Sequence, residues 1–165
     1  MKLMKRSLNM TRIKIILLLF ITTICLSATA QNSASPASWR MSVKMTSETE
    51  GVATIKAIIT PGWHLYGTTL PKGGPKPTTF NFAGSKGVEF ISDLTVSQAP
   101  KKVHDAIFNL DLNWWDTDVT FRRKFRVTNP ADAQISATVN YMGCNDETCA
   151  PPTTKTLTKP IHIKK

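Results

Sequence analysis

Residues 139–153 have the sequence Val-Asn-Tyr-Met-Gly-Cys-Asn-Asp-Glu-Thr-Cys-Ala-Pro-Pro-Thr, and the rest of the chain is organised around this segment. Alternating residues lead into Cys144, four turn-forming residues separate it from Cys149, and two prolines follow. This order predicts a strand, a tight loop and a departing segment. Residues that face each other on paired antiparallel strands have Cα atoms about 4.5–5.5 Å apart, within the range of about 4.4–6.8 Å that a disulfide needs. A Cys144–Cys149 disulfide is therefore geometrically easy to form.

A disulfide that closes so small a ring contributes little stability. In the chain-entropy model a loop of about six residues stabilises the fold by roughly 2 kcal/mol, against about 5 kcal/mol for a loop of about a hundred residues. The spacing favours a bond that opens and closes, while a passive staple in a secreted domain remains the open alternative. No metal site is expected, since two cysteines without clustered histidines cannot supply the four ligands of a zinc ion.

The first thirty residues predict a signal peptide. They contain five Lys or Arg and no acidic residue, then the apolar run 15–26 and a small-residue cleavage site at 28–30. The apolar run is shorter than the roughly 20 residues that span a bilayer, so we expect the segment to be removed, together with Cys25. The mature protein is expected to be periplasmic, without a membrane span, in a compartment where disulfides persist.

Removal of this segment lowers the net charge from +10 to +5, because five of the 21 Lys and Arg lie in it. The composition therefore does not indicate nucleic-acid binding. Residues 31–37 predict a flexible leader, and 38–165 are long enough for one domain with a core, expected as a monomer. The densest basic cluster, 122–126, leaves two interpretations open: a solvated strand face, or a docking patch for an acidic partner or a membrane surface.

The mature chain alternates apolar and polar residues in short segments separated by turn formers, which predicts about eight strands and no sustained helix. The segments are 39–45, 52–59, 63–66, 78–82, 88–91, 119–127, 135–141 and 156–163. Short strands with turns every 8–12 residues or so are typical of an all-β sandwich. The region 101–115 alternates less regularly and predicts a loop that carries apolar residues.

Two motifs link the chain to a known family. The run Val-Asn-Tyr-Met-Gly-Cys that ends at Cys144, with Cys149-Ala-Pro-Pro after the loop, resembles the redox hairpin of the N-terminal periplasmic domain of the thiol:disulfide interchange protein DsbD. Residues 61–66, Pro-Gly-Trp-His-Leu-Tyr, are similar to the aromatic segment that flanks the cysteines in that family. The loop here has four residues between the cysteines where the best-known members have five. The resemblance covers about residues 39–163 and implies an immunoglobulin-like β-sandwich.

The resemblance also implies roles for individual residues. Cys144 and Cys149 would be the exchanging pair, with Cys149 linking to the partner and Cys144 resolving the mixed disulfide. His64 and Tyr66, two residues apart and so on one face of an extended strand, would border the cysteines. The family's capping phenylalanine would be Phe108, from the order His-acid-x-x-Phe that ends there, while ordinary core packing of Phe108 remains the alternative.

Two acidic residues in the loop affect the expected reactivity of the cysteines. Asp146 and Glu147 lie between the cysteines and disfavour a thiolate there, so the reduced pair is expected to react mainly with a docked partner. The resemblance implies a protein-disulfide reductase without a cofactor. It would take electrons from a membrane-embedded donor on a separate chain and pass them to thioredoxin-like periplasmic proteins, including those of cytochrome c maturation. The alternative is a secreted immunoglobulin-like binding module whose disulfide is structural.

Overall fold

The computed structural model describes residues 35–162, so the expected signal peptide and residues 31–34 of the expected leader lie outside the described residues. The described part is built from β-strands and contains no helix. In chain order the strands are β1 (Ala37–Met45), β2 (Glu50–Ile59), β3 (His64–Tyr66), β4 (Thr79–Asn81), β5 (Val88–Phe90), β6 (Thr95–Val96), β7 (Lys101–Asp105), β8 (Leu110–Trp115), β9 (Val119–Val127), β10 (Gln134–Tyr141), β11 (Gly143–Cys144) and β12 (Thr153–Pro160). By their contacts the described residues form one compact unit.

The end of the expected leader belongs to the fold. β1 begins at Ala37, and both Pro36 and Ala37 are buried. The backbone N–H of Thr60 donates to the carbonyl oxygen of Pro36 at 3.0 Å, which ties this end to the turn after β2.

The first sheet has the strand order β1-β2-β9-β5, and β6 also pairs with β9. β1 and β2 form the predicted hairpin, in antiparallel register from Ala37 opposite Ile59 to Met45 opposite Gly51. On β9 the predicted alternation is present, since Phe121 and Phe125 are buried while Arg122 is exposed. One face of this sheet is therefore apolar and the other faces solvent.

The second sheet, β12-β10-β4, packs across the apolar face of the first. The ring of Trp39 on β1 lies 6.0 Å from the ring of Phe80 on β4 and 5.2 Å from the ring of Tyr141 on β10, measured between centroids. Aromatic side chains each bury about 150–250 Å², so these contacts across the two sheets account for much of the core. The predicted all-β, immunoglobulin-like sandwich is confirmed, with twelve strands in the described residues where about eight were expected.

The third sheet, β11-β3-β8-β7, carries the cysteine segment. One of its faces joins the main core through Leu65 and Trp115. Its other face carries a separate apolar cluster, whose fully buried members are Tyr66, Leu112 and Cys144. We call this second cluster the cysteine cluster.

The prediction of a loop over 101–115 is wrong, because β7 and β8 form an antiparallel hairpin there. The register runs from Lys101 opposite Trp114 to Asp105 opposite Leu110. Asn109 has φ 52° in the connecting turn, a conformation that asparagine tolerates better than most residues. The alternation was hidden because Asp105, a charged residue, occupies a buried position (4% exposed) where the pattern requires an apolar one.

Candidate functional site

Cys144 and Cys149 are joined in a disulfide that closes a very short loop. Their Cα atoms are 4.0 Å apart, closer than the spacing expected for paired strands, and the two residues face each other across an isolated antiparallel bridge. The loop is ordered by Asn145, whose Oδ1 accepts hydrogen bonds from the N–H of Glu147 at 3.0 Å and of Thr148 at 2.7 Å. Such side-chain caps are a usual means of holding a tight turn.

The two sulfur-bearing residues differ in exposure. Cys144 is fully buried at 0% exposure, whereas Cys149 is partly exposed. Asp146 and Glu147 lie at the exposed tip of the loop between them. Because thiol–disulfide exchange needs access to the sulfur under attack, a reagent or partner from solvent can reach the Cys149 side of the bond first.

Gly143 sets the position of Cys144. β11 pairs with β3 so that Gly143 lies opposite Leu65 and Cys144 opposite His64. A Cβ atom at Gly143 would collide with the carbonyl oxygen of His64 and with the ring of Pro36. Only glycine therefore allows β11 to lie this close to its neighbours.

The structure brings His64 and Tyr66 to the same face as Cys144. The Tyr66 hydroxyl lies 3.1 Å from the Cys144 sulfur and donates a hydrogen bond of 2.8 Å to Oδ2 of Asp105. A carboxylate is a better acceptor than a disulfide sulfur. In the oxidised protein the Tyr66 hydroxyl therefore donates its hydrogen bond to Asp105 and not to the sulfur. Burial raises the pKa of Tyr66 strongly, and the hydrogen bond to Asp105 adds to the rise, so the phenol keeps its proton.

Asp105 was missed as a site residue by the sequence reasoning. It is the last residue of β7, and its Oδ1 accepts hydrogen bonds from the N–H of Ile107 at 2.8 Å and of Phe108 at 3.0 Å. One carboxylate therefore holds the β7–β8 turn with one oxygen and the Tyr66 hydroxyl with the other. An available signal was the position of this Asp before a short connection, where aspartate is a common turn former.

Phe108 lies in that turn and belongs to the cysteine cluster. Its ring packs edge-on to the ring of Tyr66, with centroids 6.1 Å apart, and its side chain is half-buried among residues that include Cys144 and Cys149. It is not part of the main core between the first two sheets. Its neighbour Ile107 is 54% exposed, so the turn lies at the surface beside the cysteine cluster.

His64 is held as a neutral, partly buried imidazole. Its ring stacks on the ring of Trp114 at 4.1 Å, another residue that the sequence reasoning did not assign to the site. Burial lowers the pKa of His64, although the carboxylates of Asp105, Asp146 and Asp116 oppose that shift. Within residues 35–162 the Nε2 atom of His64 is buried and has no hydrogen-bond partner.

The described residues contain no group of three or more His, Cys, Asp or Glu that could hold a metal ion. Across that same part of the chain there is also no helix of the length and hydrophobicity that a membrane crossing requires. The chemistry that the site offers is that of a disulfide between one buried and one partly exposed cysteine, bordered by a protonated phenol.

Comparisons with known proteins show which proteins the chain resembles. The family model described as the N-terminal domain of thiol:disulfide interchange protein DsbD matches residues 31–160. A search of curated proteins gave no match.

Among solved structures, the N-terminal periplasmic domain of ScsB from Proteus mirabilis is similar, with TM-score 0.56 and 18% identity over 78% of this chain and 48% of that one. This chain thus spans about half the length of the ScsB chain. The DsbD N-terminal domain of Neisseria meningitidis in the reduced form matches with TM-score 0.47 and 11% identity, over 73% of this chain and 83% of that one. A chain from a structure of the complex between the DsbD N-terminal and PilB N-terminal domains of the same organism matches with TM-score 0.43 and 11% identity. The match covers 77% of this chain and 89% of that one.

Proposed function

The chain belongs to the family of the N-terminal domain of the thiol:disulfide interchange protein DsbD, and we propose that it transfers electrons to protein disulfides through Cys144 and Cys149. The observation that carries this proposal is the asymmetry of the disulfide, with Cys144 at 0% exposure and Cys149 partly exposed in one short loop. A structural staple has no need of an accessible sulfur. An exchange reaction needs one accessible sulfur and a second, nearby sulfur to complete the cycle.

The proposed cycle moves two electrons from the cysteine pair to a partner. In the reduced protein the Cys149 thiolate attacks a disulfide of the partner, so a mixed disulfide forms and one partner sulfur leaves as a thiolate. The Cys144 thiolate then attacks the Cys149 sulfur, which re-forms the intramolecular disulfide and releases the second partner sulfur. The partner is reduced to a dithiol, and an electron donor with its own dithiol restores the pair by the reverse steps.

Tyr66 supports the step in which Cys144 carries negative charge. When a donor attacks the Cys149 sulfur, Cys144 leaves as a thiolate in a fully buried position, where an unpaired charge is costly. The Tyr66 hydroxyl lies 3.1 Å from that sulfur and keeps its proton at neutral pH. It can redirect its hydrogen bond from Asp105 to the developing thiolate, which is then an acceptor of comparable charge.

Phe108 is proposed as the cap of the pair. Its half-buried ring packs against the cysteine cluster from a surface turn that Asp105 helps to hold by two hydrogen bonds. Surface turns are among the segments that open at the lowest free energy, so a docking partner can displace this one and uncover Cys149. When no partner is docked, the ring limits the access of small oxidants to the cysteine pair.

The proposed partners are thioredoxin-like proteins of the periplasm and a membrane-embedded electron donor. Thioredoxin-like proteins present a reactive, low-pKa cysteine at their surface, which suits a half-shielded disulfide that a partner has to approach closely. The export pattern in residues 1–30 supports the location.

The test is to trap the mixed disulfide with a thioredoxin-like domain that lacks its own resolving cysteine and whose remaining cysteine is activated as a mixed disulfide with thionitrobenzoate, so that attack by a thiolate forms the protein–protein disulfide and releases thionitrobenzoate. Cys144→Ser should accumulate a covalent complex on a non-reducing gel, linked through Cys149 by mass spectrometry. The matched control is Cys149→Ser, which keeps the buried Cys144 and should accumulate much less complex. Accumulation with Cys149→Ser alone would reverse the assignment of the two cysteines, and no complex with either variant would contradict the proposed function.

A further inference from the structure

The outer face of the first sheet carries a concentration of positive charge. Strand alternation turns one set of side chains on β1, β2 and β9 towards solvent, opposite to the set in the core. This set includes six basic residues, which we call the cationic face: Arg40, Lys44, Lys56, Arg122, Lys124 and Arg126. All six are exposed.

The strand register places these charges close together. Arg40 lies directly opposite Lys56, and Val52 separates Lys44 from Lys124 in another row across the three strands. With strands about 4.8 Å apart and alternate residues about 6.8 Å apart, the six charges lie within a patch of roughly 20 by 10 Å. Like charges directly opposite each other destabilise a sheet. Among the described residues of this face Arg40 and Lys56 are such a pair, and Lys56 also forms an ion pair with Asp118.

Acidic residues neutralise the two ends of this face, and Glu89 on β5 also lies opposite Arg126. Lys56 forms an ion pair of 2.8 Å with Asp118, and Arg126 forms one of 2.8 Å with Glu50. Within residues 35–162 the other four members form no ion pair: Arg40, Lys44, Arg122 and Lys124. Their charge is available to an external anion.

We propose that the cationic face docks the protein on an anionic lipid bilayer. Long cationic side chains on one sheet face, with small polar residues such as Ser42 and Thr54 between them, match a headgroup layer that presents many phosphates without fixed geometry. A protein interface of ordinary strength relies on aromatic or other large anchors at its centre. The solvent-facing positions of β1, β2 and β9 contain no aromatic residue, so a membrane fits this surface better than an acidic protein.

Docking in this way leaves the disulfide available. The cationic face belongs to β1, β2 and β9 of the first sheet, whereas Cys144 and its neighbours belong to the third sheet, and the two sheets share no strand. The bound protein can therefore still present Cys149 to a partner. The proposal does not depend on the exchange reaction, since it rests on charge and register alone.

The experiment is co-sedimentation with lipid vesicles of residues 31–165, which contain every described residue and the main core. Vesicles of phosphatidylcholine alone are compared with vesicles that contain about 30% phosphatidylglycerol, at about 0.1 M and 0.5 M NaCl. The test variant changes Arg40, Lys44, Arg122 and Lys124 to Gln. The matched control changes Lys72, Lys86, Lys155 and Lys159 to Gln, which removes the same charge from exposed positions off this face.

The wild-type protein should bind the anionic vesicles at low salt and be released at high salt, with little binding to phosphatidylcholine alone. Each cation near an anionic surface contributes about fivefold to partitioning, so the test variant should lose at least about a hundredfold and the control only a few-fold. Equal losses in both variants, or no preference of the wild type for anionic vesicles, would overturn the proposal. Face-dependent binding to soluble poly-glutamate without binding to vesicles would overturn it in favour of an acidic protein partner.

Discussion

The Tyr66→Phe substitution removes one hydroxyl from the cysteine cluster and leaves the aromatic ring in place. That hydroxyl donates to Oδ2 of Asp105 at 2.8 Å, and Asp105 is only 4% exposed. After the substitution Oδ2 loses its protein partner, while Oδ1 keeps its two backbone donors. The loss of unfolding free energy therefore measures the hydrogen bond between Tyr66 and Asp105, which links the β7–β8 turn to the cysteine pair.

The expected cost follows from the kind of bond. A hydrogen bond to a charged acceptor contributes about 1.5–3 kcal/mol, and the contact with the disulfide sulfur adds little because that sulfur is a weak acceptor. We expect the oxidised variant to lose about 2 kcal/mol of unfolding free energy. With a urea dependence of about 2 kcal/mol per molar for a domain of this size, the midpoint should fall by about 1 M.

Tyr141→Phe is the matched control for this assay. Tyr141 is also buried, at 4% exposure, but its hydroxyl makes only long contacts with neutral groups, 3.2 Å to Ser35 Oγ and 3.5 Å to the carbonyl oxygen of Ala37. Its loss should cost less than about 1 kcal/mol. Urea unfolding followed by fluorescence compares the two variants. Equal midpoints for Tyr66→Phe and Tyr141→Phe would refute the reasoning about Asp105.

Three further predictions concern the same site. Phe108→Ala should speed alkylation of the reduced cysteines in the folded protein. The control Phe80→Ala changes a half-buried residue of the main core and should lower stability without speeding alkylation. An unchanged alkylation rate in a destabilised Phe108→Ala protein would exclude the cap. His64 has a pKa lowered below its ordinary 6.5 by burial, so its contribution to stability is present above about pH 6.5 and is lost as the pH falls towards the lowered value. The drop in urea midpoint from about pH 7.5 to pH 5 should accordingly be smaller in His64→Phe, and an identical drop would show that His64 is not responsible. Replacing both cysteines by serine should leave a cooperatively folded sandwich that has lost at most about 2 kcal/mol; a variant that fails to fold would favour a structural disulfide.

The strands of the main core could be predicted because each has one consistently apolar face. β9 is the clearest case, since Phe121 and Phe125 alternate with exposed Arg122 and Lys124. The cysteine pairing could be predicted for a related reason, because it depends on a local loop of four residues. Both features can be recognised in the sequence, because one repeats along a single strand and the other joins residues that are close in the chain.

The β7–β8 hairpin and the role of Asp105 could not be predicted in this way. Asp105 occupies a buried position because the hydroxyl of Tyr66, 39 residues away in the chain, provides a hydrogen bond there. Likewise Trp114 lies in the site because β8 pairs with β3, which places it opposite Tyr66. Such contacts depend on the sheet order, which hydrophobic alternation alone does not encode.

The redox potential of the Cys144–Cys149 couple is the most direct test of the central claim that this disulfide opens and closes in function. The purified protein would be equilibrated in glutathione or dithiothreitol buffers of known ratio, and the reduced fraction counted by alkylation and mass spectrometry. An exchanging pair should have a potential between about −180 and −270 mV, in the range of thiol-exchange proteins. A potential well below about −300 mV, as in structural disulfides of secreted proteins, would contradict the account.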